Sequence, residues 1–311
     1  MKSRTGALCL FGLVAMTAPA LPGPAQAKPE PIQIALTFDD LPAHSALPAG
    51  QTRVRIAEQL LAALHDAGAP PVYGFVNAVQ EEREPDSAAV LGLWRAAGHP
   101  LGNHTWSHMA LSKNSLADFE ADLIRNEPVL EKQMAGQDWR WLRFPFLDEG
   151  DTPDKRDAVR QFLAQRHYRI ASVTMSFDDW AWNEPYARCI AKGDTAAITA
   201  LEDSYLQAAK DSFAYSRGLS KSLYGKDIPY VLLMHEGALD ARLMPRLLAF
   251  YRSQGASFVA LDAAERHPFY AADFNPAPTP GTLTLENAMA TRGLPVPAKT
   301  WDVQALTAVC A

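Results

Sequence analysis

Apolar positions fall into two alternating kinds of run along the chain. Short stretches rich in Val, Ile, Leu and aromatic residues, bounded by turn formers, read as strands at Ile32–Phe38, Pro71–Val76, His99–His104, Trp139–Phe144, Tyr168–Ser176, Pro229–His235 and Ala256–Leu261. Between them the apolar residues return every three or four positions. Val54, Ala57, Leu60, Leu61 and Leu64 share one helical face, and Gly68 suits the C-terminal cap. Ser87–Ala97, Ser115–Met134, Asp154–Gln165 and Ala241–Ser253 follow the same pattern. Such alternation predicts an α/β fold of parallel strands with helices outside. Seven strands favour closure into a distorted (β/α) barrel over an open sheet. Gly193–Arg217 predicts an extra helical insertion before the sixth strand, and the Pro-rich stretch Pro276–Ala311 is expected to pack on the barrel as a tail.

The first residues break the pattern. Lys2 and Arg4 precede an apolar run, Ala7 to Met16, and Ala25-Gln26-Ala27 has the small-x-small form of an export cleavage site. The run is short for a bilayer span. The expectation is a signal peptide at 1–27, a single domain at 28–311, and a secreted, periplasmic protein without stable membrane insertion. Cleavage removes two of the 29 basic residues and none of the 35 acidic ones, taking the net charge from −6 to −8 (27 against 35). Nucleic acid is therefore a poor partner. Two cysteines remain, Cys189 and Cys310. An oxidising compartment permits a disulfide, but spacing does not decide whether they pair.

Chemistry-bearing residues collect where strands end, which in parallel α/β barrels is where active sites are built. Asp39-Asp40 closes the first strand, and two adjacent carboxylates there call for a cation or a proton. Asn103-His104-Thr105-Trp106-Ser107-His108 places two histidines four apart, on one face if the segment is helical. Two imidazoles and a carboxylate give a divalent cation three protein ligands and leave a position open. Arg143 ends the fourth strand and can hold a carboxylate. Asp178-Asp179-Trp180 and Trp182 follow the fifth, and Leu232-Leu233-Met234-His235 ends the sixth. His65, His99, His167 and His267 read as structural or solvated.

In this order the pieces resemble the NodB-homology polysaccharide deacetylases, carbohydrate esterase family four, over roughly Ile32 to Leu261. Thr37–Asp40 matches the first family motif, with Asp39 as base and Asp40 on the metal. His104–His108 matches the H-[ST]-x-x-H motif that completes the metal triad. Arg143–Phe146 looks like R-x-P-Y, with Phe146 in place of Tyr. Leu232–His235 looks like L-x-x-H, which supplies a pocket leucine, Leu232, and the general acid, His235. The fourth motif, D-x-x-D-W, aligns on Asp179-Trp180 and puts Ser176 where the first Asp belongs. The acid that orients His235 is then missing, or Asp178 or Asp179 serves instead.

The resemblance implies one divalent metal, most readily zinc, and an acetylated carbohydrate substrate from which N-acetyl or O-acetyl groups are removed. Phe146, Trp180 and Leu232 would line the substrate pocket. Trp106, Trp180, Trp182 and Tyr186 could stack on sugars, at least two of them being core instead. Two rival readings are an amidohydrolase on a small ring amide, similar to the cofactor-independent allantoinases, and a carbohydrate-binding protein without catalysis.

Overall fold

The computed structural model describes residues 31–276 and 283–311; the segment expected to be a signal peptide lies outside them. All seven expected strands form: β1 Ile32–Leu41, β2 Tyr73–Val76, β3 Leu101–Asn103, β4 Trp141–Leu142, β5 Arg169–Ile170, β6 Tyr230–His235 and β7 Ala256–Phe258. They are parallel, in the order β5-β4-β3-β2-β1-β6, with β7 paired to the base of β1. Beyond β5 the chain meets β6, with the Met175 N–H on the Val231 carbonyl (3.0 Å) and the Leu233 N–H on the Met175 carbonyl (3.0 Å). That contact curls the sheet into the expected distorted barrel.

Local sequence sets the helix starts. Thr52, Ser115 and Thr152 each accept a backbone N–H at the heads of α1 (Arg53–Asp66), α3 (Leu116–Met134) and α4 (Pro153–Gln165), α2 being Ala89–Ala96. The insertion before β6 is larger than expected. It comprises α5 (Asn183–Lys192) and the 30-residue α6 (Thr195–Tyr224), capped by Asp194 and ended by Gly225 at φ 73°. Helix α7 (Ala238–Ser253) follows β6, and α8 (Leu285–Thr291) lies in the tail.

Strand alternation positions the site. Ala35 pairs with Val231, Thr37 with Leu233 and Asp39 with His235. Residues two apart share a face, so these pairs stack as layers inside the barrel. Ala35, Phe75, Trp141, Ala171 and Val231 pack there with Leu261, Ala264 and Tyr270, which plug the base. The alternate residues, such as Ile34 and Leu36, join the larger core under the helices. The topmost interior layer therefore carries Asp39 and His235 on adjacent strands.

Candidate active site

Consecutive residues of a strand point to opposite faces, yet Asp39 and Asp40 both line one cavity of about 430 Å³. The reason is Asp40 itself, at φ 62°, which swings its carboxylate back over the barrel mouth. Similar turns recur around the rim at Ser45, Thr105, His108, Phe146, Leu147 and Asp178, all non-glycine residues with φ between 52° and 60°. His104–His108 is accordingly a loop and not the helical face considered from its spacing. The left-handed turns at Thr105 and His108 bring both imidazoles to one oxygen: His104 Nε2 lies 3.5 Å and His108 Nε2 3.4 Å from Asp40 Oδ1.

That oxygen is buried and has no hydrogen-bond partner. His104 Nδ1 lies 2.6 Å from the Arg143 carbonyl, which only accepts, so Nδ1 carries the hydrogen and Nε2 offers its lone pair. Burial and the neighbouring His104 pull His108 down to about 4 against the carboxylates beside it, leaving it neutral. Burial raises Asp40, but the His44 hydrogen bond and the favourable electrostatics of the neighbouring His44, His108 and His235 imidazoles outweigh it and hold the carboxyl well below its usual range. One carboxylate oxygen and two imidazole lone pairs thus converge in a set that fits a borderline divalent cation.

Two charge relays flank this set. Arg143, fully buried, places Nη1 3.0 and 3.2 Å from the two oxygens of Asp39, while Nη2 bonds Thr37 and Nε the Ala171 carbonyl. On the other side Asp179 grips His235 twice, accepting from its backbone N–H at 2.7 Å and from Nδ1 at 3.0 Å. Burial alone would lower His235; Asp179, with Asp40 and Asp39, overrides it and raises the group to about 10, so the imidazole is protonated at neutral pH. The orienting acid left open by the Ser176 departure is therefore Asp179, and Ser176 lines the cavity instead. Asp178 turns outward to the tail, accepting from Trp301 Nε1 at 3.0 Å.

Phe146 and Trp180 stand exposed in the rim segments that follow β4 and β5 and line the cavity, Phe146 edge-on to His108 at 4.4 Å. Leu232 does not line it. It sits opposite Leu36 on the outward face, fully buried in the core, and Leu233 takes the pocket position because it shares the inward face with His235. Trp182 and Tyr186 are core, and Trp106 is partly buried under the Arg125 guanidinium. Spacing gave no sign of His44. Its Nδ1 lies 2.9 Å from Asp40 Oδ2 and its ring 4.6 Å from that of His235. The Pro42-Ala43 turn after β1 folds it back over the site, and only its place four residues beyond the acid pair hints at this.

A family model described as polysaccharide deacetylase matches residues 26–171. A chitin deacetylase of Arthroderma benhamiae is 28% identical over 152 residues, covering 49% of this chain and 36% of that protein, so the match spans about a third of the relative's length. Among solved structures, a polysaccharide deacetylase from Bacillus cereus aligns with TM-score 0.51 and 18% identity over 74% of this chain and 92% of that one. A mutant of a carbohydrate esterase family four pseudoenzyme with restored activity aligns with TM-score 0.52 and 15% identity over 76% and 68%. These two likenesses concern the fold, and one of them is to a protein described as a pseudoenzyme.

Proposed function

We propose, from the polysaccharide deacetylase family model that matches residues 26–171, that the chain is a metal-dependent hydrolase removing N-acetyl, or O-acetyl, groups from an extracytoplasmic polysaccharide or oligosaccharide. The observation that carries this is one cavity in which a three-donor cation set lies between a buried carboxylate and a carboxylate-held imidazole. Asp40, His104 and His108 would hold the metal, zinc by the chemistry of the donors. When bound, such a cation polarises the acetyl carbonyl and acidifies water.

The remaining chemistry belongs to the chain. Asp39, fixed by Arg143, takes a proton from the attacking water. The developing oxyanion accepts from a backbone N–H near Phe146, a role indifferent to the lost tyrosine hydroxyl. His235 donates its proton to the departing amine, so water and amide become acetate and amine. Export of the protein accords with its charged and apolar first residues and with the Cys189–Cys310 disulfide, a bond that persists in oxidising compartments.

Acetate release from a panel of acetylated glycans, read beside elemental analysis, tests this reading. We expect acetate from at least one glycan and one metal per chain. His104→Ala should strip most of the metal. His44→Ala should weaken its binding roughly 10–100-fold, the usual effect of losing a group that orients a ligand. Unchanged metal in His104→Ala, or metal without acetate from any glycan, would overturn the assignment.

The Asp179 grip gives a separate expectation. Its charge raises His235, so Asp179→Asn should lower that pKa and move the alkaline limb of the kcat/KM–pH profile to lower pH. A limb that stays in place would show that His235 does not supply the proton.

A further inference from the structure

Behind His235 lies a second layer of buried polar groups that never meets the cavity. Asp179 opens a short helical turn, Asp179–Trp182, that runs directly into α5, so that Asn183 follows four residues later. Both side chains reach the segment that leaves β6. Asp179 accepts from the backbone N–H and Nδ1 of His235. Asn183 accepts from the Leu239 N–H at 2.9 Å and donates from Nδ2 to Asp240 Oδ2 at 2.7 Å, both in the first turn of α7. The approach is close: a Cβ on Gly237, between these two levels, would lie 2.2 Å from the Asn183 amide.

Asp240 in turn places Oδ1 2.6 Å from the Tyr205 hydroxyl of α6. The Tyr205 ring packs edge-on against Phe177 and Trp182, and the Trp182 indole donates to Ser204 Oγ at 2.9 Å. These contacts tie α6 to the turn that carries Asp179. Asp179, Asn183, Tyr205 and Asp240 are all fully buried. Polar groups are costly to bury, and packing alone would be served as well by apolar side chains. Burial, and then the charge of Asp179, raise the Asp240 carboxyl well above the usual carboxylate range. A neutral carboxyl accepts from Asn183 on one oxygen and donates to Tyr205 from the other, keeping both contacts without a second negative charge beside Asp179.

We propose that Asn183, Asp240 and Tyr205 are positioning residues for the general acid. They lock the Asp179 turn to the β6–α7 junction and so hold the His235 imidazole toward the departing nitrogen. Through Tyr205 the long insertion helix α6 takes part in turnover without touching a reacting atom. This rests on the role given to His235 above.

The test measures kcat and KM on matched N-acetyl and O-acetyl substrates, with elemental analysis and circular dichroism on each variant. Proton delivery limits amide cleavage more than ester cleavage, so a displaced His235 lowers the amide-to-ester ratio of kcat, whereas a loss of folded protein scales both alike. Asp240→Ala should lower kcat about ten-fold on the amide and about two-fold on the ester with KM little changed, well within the roughly 10²-fold that a misplacement of about 1 Å can cost. Tyr205→Phe, which deletes one hydroxyl, should shift the ratio the same way by about three-fold. Asp240→Asn still accepts from Asn183 and donates to Tyr205, and should restore the wild-type ratio. A wild-type ratio in folded Asp240→Ala or, where that variant does not fold, in Tyr205→Phe overturns the positioning role and leaves His235 as the acid. So does an Asp240→Asn as impaired as Asp240→Ala. If His235→Ala itself keeps the wild-type ratio, the role of His235 falls first and the positioning role with it.

Discussion

Asp39→Asn should lose on the order of 10²-fold or more in turnover while keeping its metal, and His235→Ala should do the same. The carboxamide introduced in the first variant still accepts from Arg143 Nη1 but cannot take a proton from water. His235 lies on the adjacent strand, its Nε2 4.0 Å from Asp40 Oδ2. That proximity makes metal content the discriminating readout, because Asp40, His44 and His235 form a second group of possible donors. If His235→Ala loses the metal, the histidine is a ligand and the general acid lies elsewhere. The two losses should not multiply in the double variant, since both groups serve one reaction sequence. Substrate chemistry separates the roles further. An ester leaves with less help from a proton than an amide, so His235→Ala should harm amide cleavage more than ester cleavage, and Asp39→Asn should harm both alike.

Arg143→Met should destabilise the protein by about 3–5 kcal/mol, the effect of removing one partner from a buried ion pair. Arg143 is fully buried and bonds Asp39, Thr37 and the Ala171 carbonyl, with its guanidinium 4.7 Å over the Phe75 ring. Methionine fills the volume but removes the cation that pairs with the buried Asp39 carboxylate, and the His104 imidazole, its Nε2 at 3.8 Å, does not replace the two guanidinium contacts. Urea denaturation measures the change, with the midpoint compared at constant slope. A loss below about 1 kcal/mol would mean that Asp39 is not held as a charge by Arg143, and the identity of the catalytic base would need revision.

The strands were legible because apolar runs between turn formers leave few alternatives, and the chemistry was legible because Asp39, Asp40, Arg143 and His235 end or just follow those runs. Strand lengths were not. Pro71–Val76, Trp139–Phe144 and Tyr168–Ser176 shrink to four, two and two residues. The chain leaves regular pairing early to build the rim, and hydropathy does not register that departure. Leu232 shows a signal that was present: two-residue alternation from His235 selects Leu233, and the motif match overrode it. Asp178 and Asp179 could not be separated by type. What separates them is the left-handed backbone of Asp178, which sends one carboxylate to the tail and the other to His235. His44 depends on a loop path that no periodicity encodes.

The left-handed residues around the rim bear on how this protein could be made hardier. Each such non-glycine conformation costs of order 1–3 kcal/mol, so seven of them, at Asp40, Ser45, Thr105, His108, Phe146, Leu147 and Asp178, together match or exceed the whole net stability of an ordinary domain. Glycine would relax any of them. Yet at Asp40 and His108 the side chain is a donor in the cation set, at Phe146 and Leu147 it is the cavity wall, and at Asp178 it anchors the C-terminal tail. Thermostabilisation and catalysis therefore compete for the same backbone positions. Ala135, left-handed at φ 47° where α3 ends and absent from the lining of the cavity, is where an engineer can substitute glycine without drawing on the site.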